Sequence, residues 1–217
     1  MKTKKILSFV MAITLLMSIT IIASARTNKP YRPEEDNLLK NEPREATAAA
    51  AGPLLGGKLL WNIESIYYYV DRSASGFSSE ISAAARNWVY TGWGYNKLYP
   101  NTKTDNINIS AIDIYGYSEY DNRNGYTYFV YRNSDGTTKT VDPKISNWSF
   151  NTIHLNHLYL DGKSATARQG TIGHEFGHAW GLAHNLDKNS IMCTAELGRK
   201  VYTVQQVDAN AFNKIYP

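Results

Sequence analysis

His174-Glu175-Phe176-Gly177-His178-Ala179-Trp180-Gly181-Leu182-Ala183-His184 is the stretch on which the reading of this chain turns. Three of the five histidines fall inside it. A step of four residues on an α-helix turns about 400° and climbs about 6 Å, so His174 and His178 leave one face together. Two imidazoles so placed can grip a metal ion from the same side, and Glu175 leaves the helix beside them, able to accept a proton from water. Gly181 can take up a backbone conformation closed to other residues, which stops the helix and turns the chain back. That return carries His184 to a third ligand position. Three protein ligands leave a fourth tetrahedral position open, the pattern of a catalytic rather than a structural zinc. H-E-x-x-H alone would arise by accident in roughly one in 200 chains of this composition; the added glycine and third histidine lower that to roughly one in 10⁵.

Asn189-Ser190-Ile191-Met192-Cys193 follows the motif. On its own a methionine in a short apolar run is ordinary core filler. After this motif, however, it resembles the methionine turn of the metzincin clan of zinc peptidases. The stretch from Tyr202 to Tyr216 is similar to the closing helix of matrixin-type catalytic domains. The resemblance covers roughly residues 58–217, with its decisive motifs in the last third. It implies a metzincin-like α+β domain, a twisted and mostly parallel sheet of about five strands with three helices. It further implies a secreted zinc-dependent endopeptidase acting on peptide or protein substrates as a monomer. His174, His178 and His184 would hold one catalytic Zn2+, Glu175 would be the general base, and Met192 would form an apolar floor beneath the histidines. Two positions depart from clan patterns: Thr194 stands where some members have a tyrosine, and Asn185 where animal matrixins have a serine.

The amino terminus reads as an export signal. Lys2, Lys4 and Lys5 precede an apolar stretch from Ile6 to Ile22 that ends in Ala23-Ser24-Ala25, which predicts cleavage after residue 25. The rival is an uncleaved anchor, but Ser8, Thr14, Ser18 and Thr20 dilute a run barely long enough to span. Of 23 basic residues three leave with the signal, so 20 face 19 acidic ones and the mature chain is near neutral. No basic cluster follows, which argues against nucleic acid as a partner, and no stable membrane association is expected after cleavage. Residues 26–57, with Pro30, Pro33, Pro43, Pro53 and an alanine run, read as a linker or short propeptide. Matrixins silence their zymogens with a propeptide cysteine on the zinc; no cysteine precedes the site here, so that latency mechanism is not expected. The single cysteine, Cys193, excludes an intramolecular disulfide. It reads as a small buried apolar side chain, with a reactive thiol as the alternative.

Within the domain, Ile66–Val70 is aromatic and β-branched and predicts the first strand. Ser78 is the expected N-cap of a helix whose buried face is Ile81, Ala84, Ala85, Trp88 and Val89, ended by Gly92. Ile107, Ile109, Ile112 and Ile114 predict a strand with a bulge at Ser110-Ala111. Tyr126–Tyr131 and Thr137–Val141 flank Asn133-Ser134-Asp135-Gly136 as a hairpin. Thr152–Leu160 predicts the last strand, with His154 and His157 on its opposite faces and therefore unable to share a metal. Tyr115, Tyr117, Tyr126 and Tyr128 predict an aromatic-covered sheet face. Asp121-Asn122-Arg123-Asn124-Gly125 lacks the acidic spacing of a calcium loop and reads as a turn, so Ca2+ has no support. The zinc helix should run from about Thr166 to Leu182, and Thr203 with Gln206 should cap the final helix, whose stripe is Val204, Val207, Ala211, Phe212 and Ile215.

Two rivals remain at this level. In a thermolysin-like site the third ligand is a glutamate on a later helix, for which Glu196 is the nearby candidate. In the other, the zinc scaffold is a secreted recognition module without turnover; Glu175 argues against it, because a structural zinc needs no base.

Overall fold

The computed structural model describes residues 52–93, 98 and 101–217. The expected signal peptide and all but the last residues of the linker lie outside the described residues. In chain order the elements are β1 (Ile66–Val70), α1 (Ser78–Val89), β2 (Asn101–Thr104), β3 (Ile112–Tyr117), β4 (Gly125–Arg132), β5 (Thr138–Thr140), β6 (Phe150–Asn156), α2 (His157–Leu160), α3 (Ala165–Trp180) and α4 (Gln206–Ile215). Short 3₁₀ segments occupy Arg72–Phe77 and Ile107–Ile109.

The strands form one six-stranded sheet in the order β2-β1-β3-β6-β4-β5. The first four in that order run parallel, and β4 is antiparallel to both β6 and β5. Register sorts the side chains onto two faces. Ile114 lies beside Ile153 and Tyr68 beside Ile112, and these residues are buried. Against them pack Ile81, Ala84, Ala85 and Trp88 of α1, with Ile172 and Phe176 of α3. The alternate residues Tyr67, Tyr69, Tyr115, Tyr117, Tyr126 and His154 occupy the opposite face and are half-buried. The rings of Tyr126 and Tyr115 stack on His154 at 4.7 and 5.4 Å between centroids, so the tyrosines do cover this face as an aromatic cluster.

Helix α4 closes the far side, with Phe212 meeting Trp88 and Trp180 at 6.3 Å. Trp88, Trp148 and Trp180 are fully buried. Each removes about 150–250 Å² from water, worth about 4–6 kcal/mol as an upper bound.

Several expectations give way to polar side chains that redirect the backbone. The strand through Ile107 and Ile109 is instead a 3₁₀ turn, because Asn106 Oδ1 accepts from Asn108 N at 3.0 Å; β3 starts only at Ile112. The last strand stops at Asn156, whose Oδ1 accepts from Leu158 N at 3.1 Å and opens α2. His157 therefore sits on a helical turn and not on a strand. Ser78 is not an N-cap: Asp71 Oδ1 accepts from Ser73 N at 2.8 Å and starts the 3₁₀ segment, so the chain is already helical when it reaches α1. Nor does Thr203 cap the final helix, which begins at Gln206 with Asp208 Oδ2 accepting from Gln205 N at 2.9 Å. The polar strand β2 was invisible as a hydrophobic pattern. The hairpin holds as expected, with Gly136 at φ 83° and Asn133 N donating to Thr137 O at 2.8 Å.

Residues 53–55 dock on the chain just after α3. Leu54 bridges Leu182, Leu55 N donates to Gly181 O at 2.8 Å, and Ala183 N donates to Pro53 O at 3.0 Å.

Candidate metal centre

Helix α3 begins at Ser164, whose Oγ accepts from Ala167 N at 3.2 Å, and ends in a Schellman closure. Leu182 N donates to Gly177 O at 3.0 Å and Gly181 N to His178 O at 2.9 Å, with Gly181 at φ 103°. That left-handed residue reverses the chain within three residues and delivers His184 to the face that carries His174 and His178. His178 Nε2 lies 3.1 Å from His174 Nε2 and 3.1 Å from His184 Nε2.

The donor chemistry of this cluster fits a metal. His174 Nδ1 faces Ile191 O and His178 Nδ1 faces Leu182 O, each at 2.9 Å. A carbonyl only accepts, so both Nδ1 atoms carry the proton and both Nε2 atoms of the neutral rings are bare lone pairs. Lone pairs gathered at 3.1 Å repel one another unless a cation lies among them. Two nitrogens about 2.0–2.1 Å from one tetrahedral zinc would stand about 3.4 Å apart, close to what is found. Burial, then the charges of His178, His184 and Arg199, hold His174 well below the ordinary imidazole pKa. Burial also pulls His178 down to about 4 and, with His178 adding to it, His184 down to about 3. Rings kept neutral in this way are ready ligands at physiological pH.

Glu175 is buried beside the triad, and its Oε2 accepts from Thr127 Oγ1 of β4 at 2.8 Å. Met192 is 1% exposed and lies under the helix, where a Cβ on Gly177 would approach its Sδ to 2.2 Å; only glycine lets the helix sit so low. The turn that holds Met192 is closed by Cys193 N donating to Ser190 O at 3.2 Å. It is anchored by Asp208, which accepts from Ser190 Oγ and from Ile191 N at 3.0 Å. Burial raises the Asp208 pKa while these donors oppose it. Cys193 is buried too, and burial pushes its thiol up, in keeping with an apolar role.

A cleft of about 230 Å³ opens beside the triad. Its floor is α3 at Thr171, His174 and Glu175; its walls are residues 122–125 on one side and 194–197 with Arg199 on the other. Glu196 lies on the wall and outside the histidine cluster, which removes it as third ligand. His154 and His157 are also remote from the triad: His157 stacks on Phe77 at 4.6 Å and reaches Ser73 O at 2.9 Å. Asp121 is bound up with Arg123 at 2.8 Å, and residues 121–124 bend into β4, which opens at Gly125. Sequence reasoning missed Thr127, Asp208 and Arg199. Asp208 alone had a local signal, as the acidic residue three after the helix cap.

Fold and site together resemble those of a matrixin-like metzincin. The family model described as Matrixin matches residues 119–217, the span that runs from β4 through the triad to α4. The solved structure of myroilysin aligns with 76% of this chain and 98% of its own at 14% identity, with a TM-score of 0.42. No curated protein matches the chain. Among the described residues no helix is long and apolar enough to cross a membrane.

Proposed function

We propose that the chain is a secreted endopeptidase in which His174, His178 and His184 hold one catalytic zinc and Glu175 is the general base. The observation that carries this reading is the convergence of three histidine Nε2 atoms, two of them bare, beside a buried carboxylate at the mouth of a cleft. Export by the lysine-led apolar amino terminus is part of the reading. Zinc held by three imidazoles supplies Lewis acidity toward a peptide carbonyl and makes water acidic near neutral pH. Glu175 takes the proton of the attacking water as its oxygen bonds the carbonyl carbon. It then passes that proton to the departing nitrogen as the C–N bond breaks. Thr127 holds one oxygen of the carboxylate and so fixes the direction in which Glu175 works.

The edge of β4 suits an extended substrate. β5 pairs with β4 only at Val130, Tyr131 and Arg132, and Val141 N takes Phe129 O. By antiparallel alternation the same backbone edge at Gly125 and Thr127 faces away from the sheet, next to Glu175. A peptide there can add as one more strand. Met192, as the apolar floor, keeps the histidines from tilting.

Glu175→Gln tests the reading, because it keeps size and removes the base. Zinc content should stay near one per chain while peptide hydrolysis falls by ~10²-fold or more. His184→Ala should lose the metal. Zinc loss in Glu175→Gln, or cleavage at the wild-type rate, would overturn the assignment; zinc binding with no hydrolysis in the wild type would identify a recognition module instead.

A further inference from the structure

The cleft beside the triad contains a cation whose pairing is incomplete. Arg199 Nη1 donates to Ile191 O at 3.3 Å and to Cys193 O at 3.4 Å, which fixes the guanidinium plane against the methionine turn. Its Nε is buried and has no hydrogen-bond partner. Among the described residues no carboxylate lies within ion-pair distance of it, and Nη2 makes no hydrogen bond. Nε and Nη2 together form the side edge of the guanidinium, the two-pronged fork that matches a carboxylate. Arginine cannot shed its proton to escape this position, so the charge stays on the cleft wall.

Of the other charged groups of the cleft, Glu175 and Glu196 attract Arg199 through space, but neither forms an ion pair with it. Arg123, on the facing wall, is engaged by Asp121 at 2.8 Å and lies over the Tyr126 ring at 4.5 Å. Glu175 is held by Thr127, and Glu196 is exposed on the wall. We infer that Arg199 clamps a carboxylate of the bound peptide through its Nε–Nη2 edge, so that this chain selects substrates with a negative group entering the cleft. The inference rests on the peptidase reading above. The carboxylate has two possible sources, an internal Asp or Glu side chain or a free peptide carboxy terminus.

The test uses the zinc-loaded mature protein and matched peptides in which Glu replaces Gln at each position around the cleaved bond. A second set ends in a carboxylate or an amide. At one position, or at the terminus, the acidic peptide should be preferred in kcat/KM by about 10- to 100-fold, the usual worth of a hydrogen bond to a charged group. Arg199→Gln should bring that ratio to about one, and Arg199→Lys should keep part of it, since a lysine offers a point charge without the fork. If Arg199 only staples the turn, Arg199→Gln slows all peptides alike and leaves the ratio intact, which overturns the clamp. Absence of any acidic preference in the wild type overturns it as well. Calorimetric binding of the same peptides to Glu175→Gln reads the clamp without turnover. Acid-selective binding lost in Glu175→Gln/Arg199→Gln supports the clamp even if the peptidase reading fails.

Discussion

Replacing Gly177 by alanine should reveal how tightly the floor of the site is held. The new Cβ would stand 2.2 Å from Met192 Sδ, 3.1 Å from Met192 Cε and 3.0 Å from Trp88 Cζ2. Ordinary contact begins near 3.4 Å, so the sulfur must retreat by about 1.2 Å, the difference between 3.4 and 2.2. Met192 is 1% exposed and Trp88 fully buried, which leaves little room for retreat. Overpacking of this kind costs about 1–3 kcal/mol. Alanine in a helix interior returns about 0.8–1.0 kcal/mol over glycine, so the net loss is only ~0–2 kcal/mol and could hide in one measurement. A double-mutant cycle separates the terms. In a Met192→Val background the colliding Sδ and Cε are gone, and Gly177→Ala should become neutral or stabilising. The coupling between the two changes should then be about 1–3 kcal/mol by urea unfolding at fixed free zinc. Additivity within ~0.5 kcal/mol would mean that Met192 does not pack against this glycine, and the placement of the floor would be wrong.

Two further outcomes follow from buried titratable groups. Burial, with Arg123 adding, lowers the His154 pKa from 6.5 to about 4. The neutral ring therefore contributes stability that is full above pH 6.5 and is lost as pH falls toward 4, by about 3 kcal/mol in total. The stability gap between the wild type and His154→Phe should shrink by that order between pH 7 and pH 4 in zinc-loaded protein, and a pH-independent gap would contradict the burial of this ring. Asp208→Ala removes the acceptor of the Ile191 and Gln205 N–H donors and of Ser190 Oγ, so Tm should fall by about 4–10 °C with weaker zinc retention. A Tm within ~1 °C of wild type would show that Asp208 does not anchor the methionine turn.

The histidine cluster was legible because its geometry is local. His174 and His178 are one helical step apart, and Gly181 starts the reversal that brings His184 back, so spacing carries much of the information. The apolar strands β1, β3 and β6 were legible for a similar reason, since Tyr, Ile and Leu alternate on them. What escaped was made by side chains competing with the backbone. Asn106 turned an isoleucine-rich stretch into a 3₁₀ segment, and Asn156 ended a strand four residues early. Strand β2, Asn-Thr-Lys-Thr, has no apolar period to find. Thr127 escaped because only the tertiary fold brings it to Glu175, across 48 residues of sequence; Arg199 binds carbonyls six and eight residues back, and backbone acceptors leave no mark in a sequence.

The docking of residues 53–55 on 181–183 sets a limit on how the amino-terminal segment can be trimmed. The backbone bonds from Leu55 to Gly181 and from Ala183 to Pro53 flank the reversal that presents His184, so this short stretch splints the loop bearing a ligand. A processing cut upstream of Pro53 leaves the splint in place. A cut at Lys58 would remove it and unbrace one wall of the coordination cage while the sheet and helices stayed whole. The limit of trimming that leaves the His184 loop braced thus runs through a three-residue tie and not through the start of the first strand.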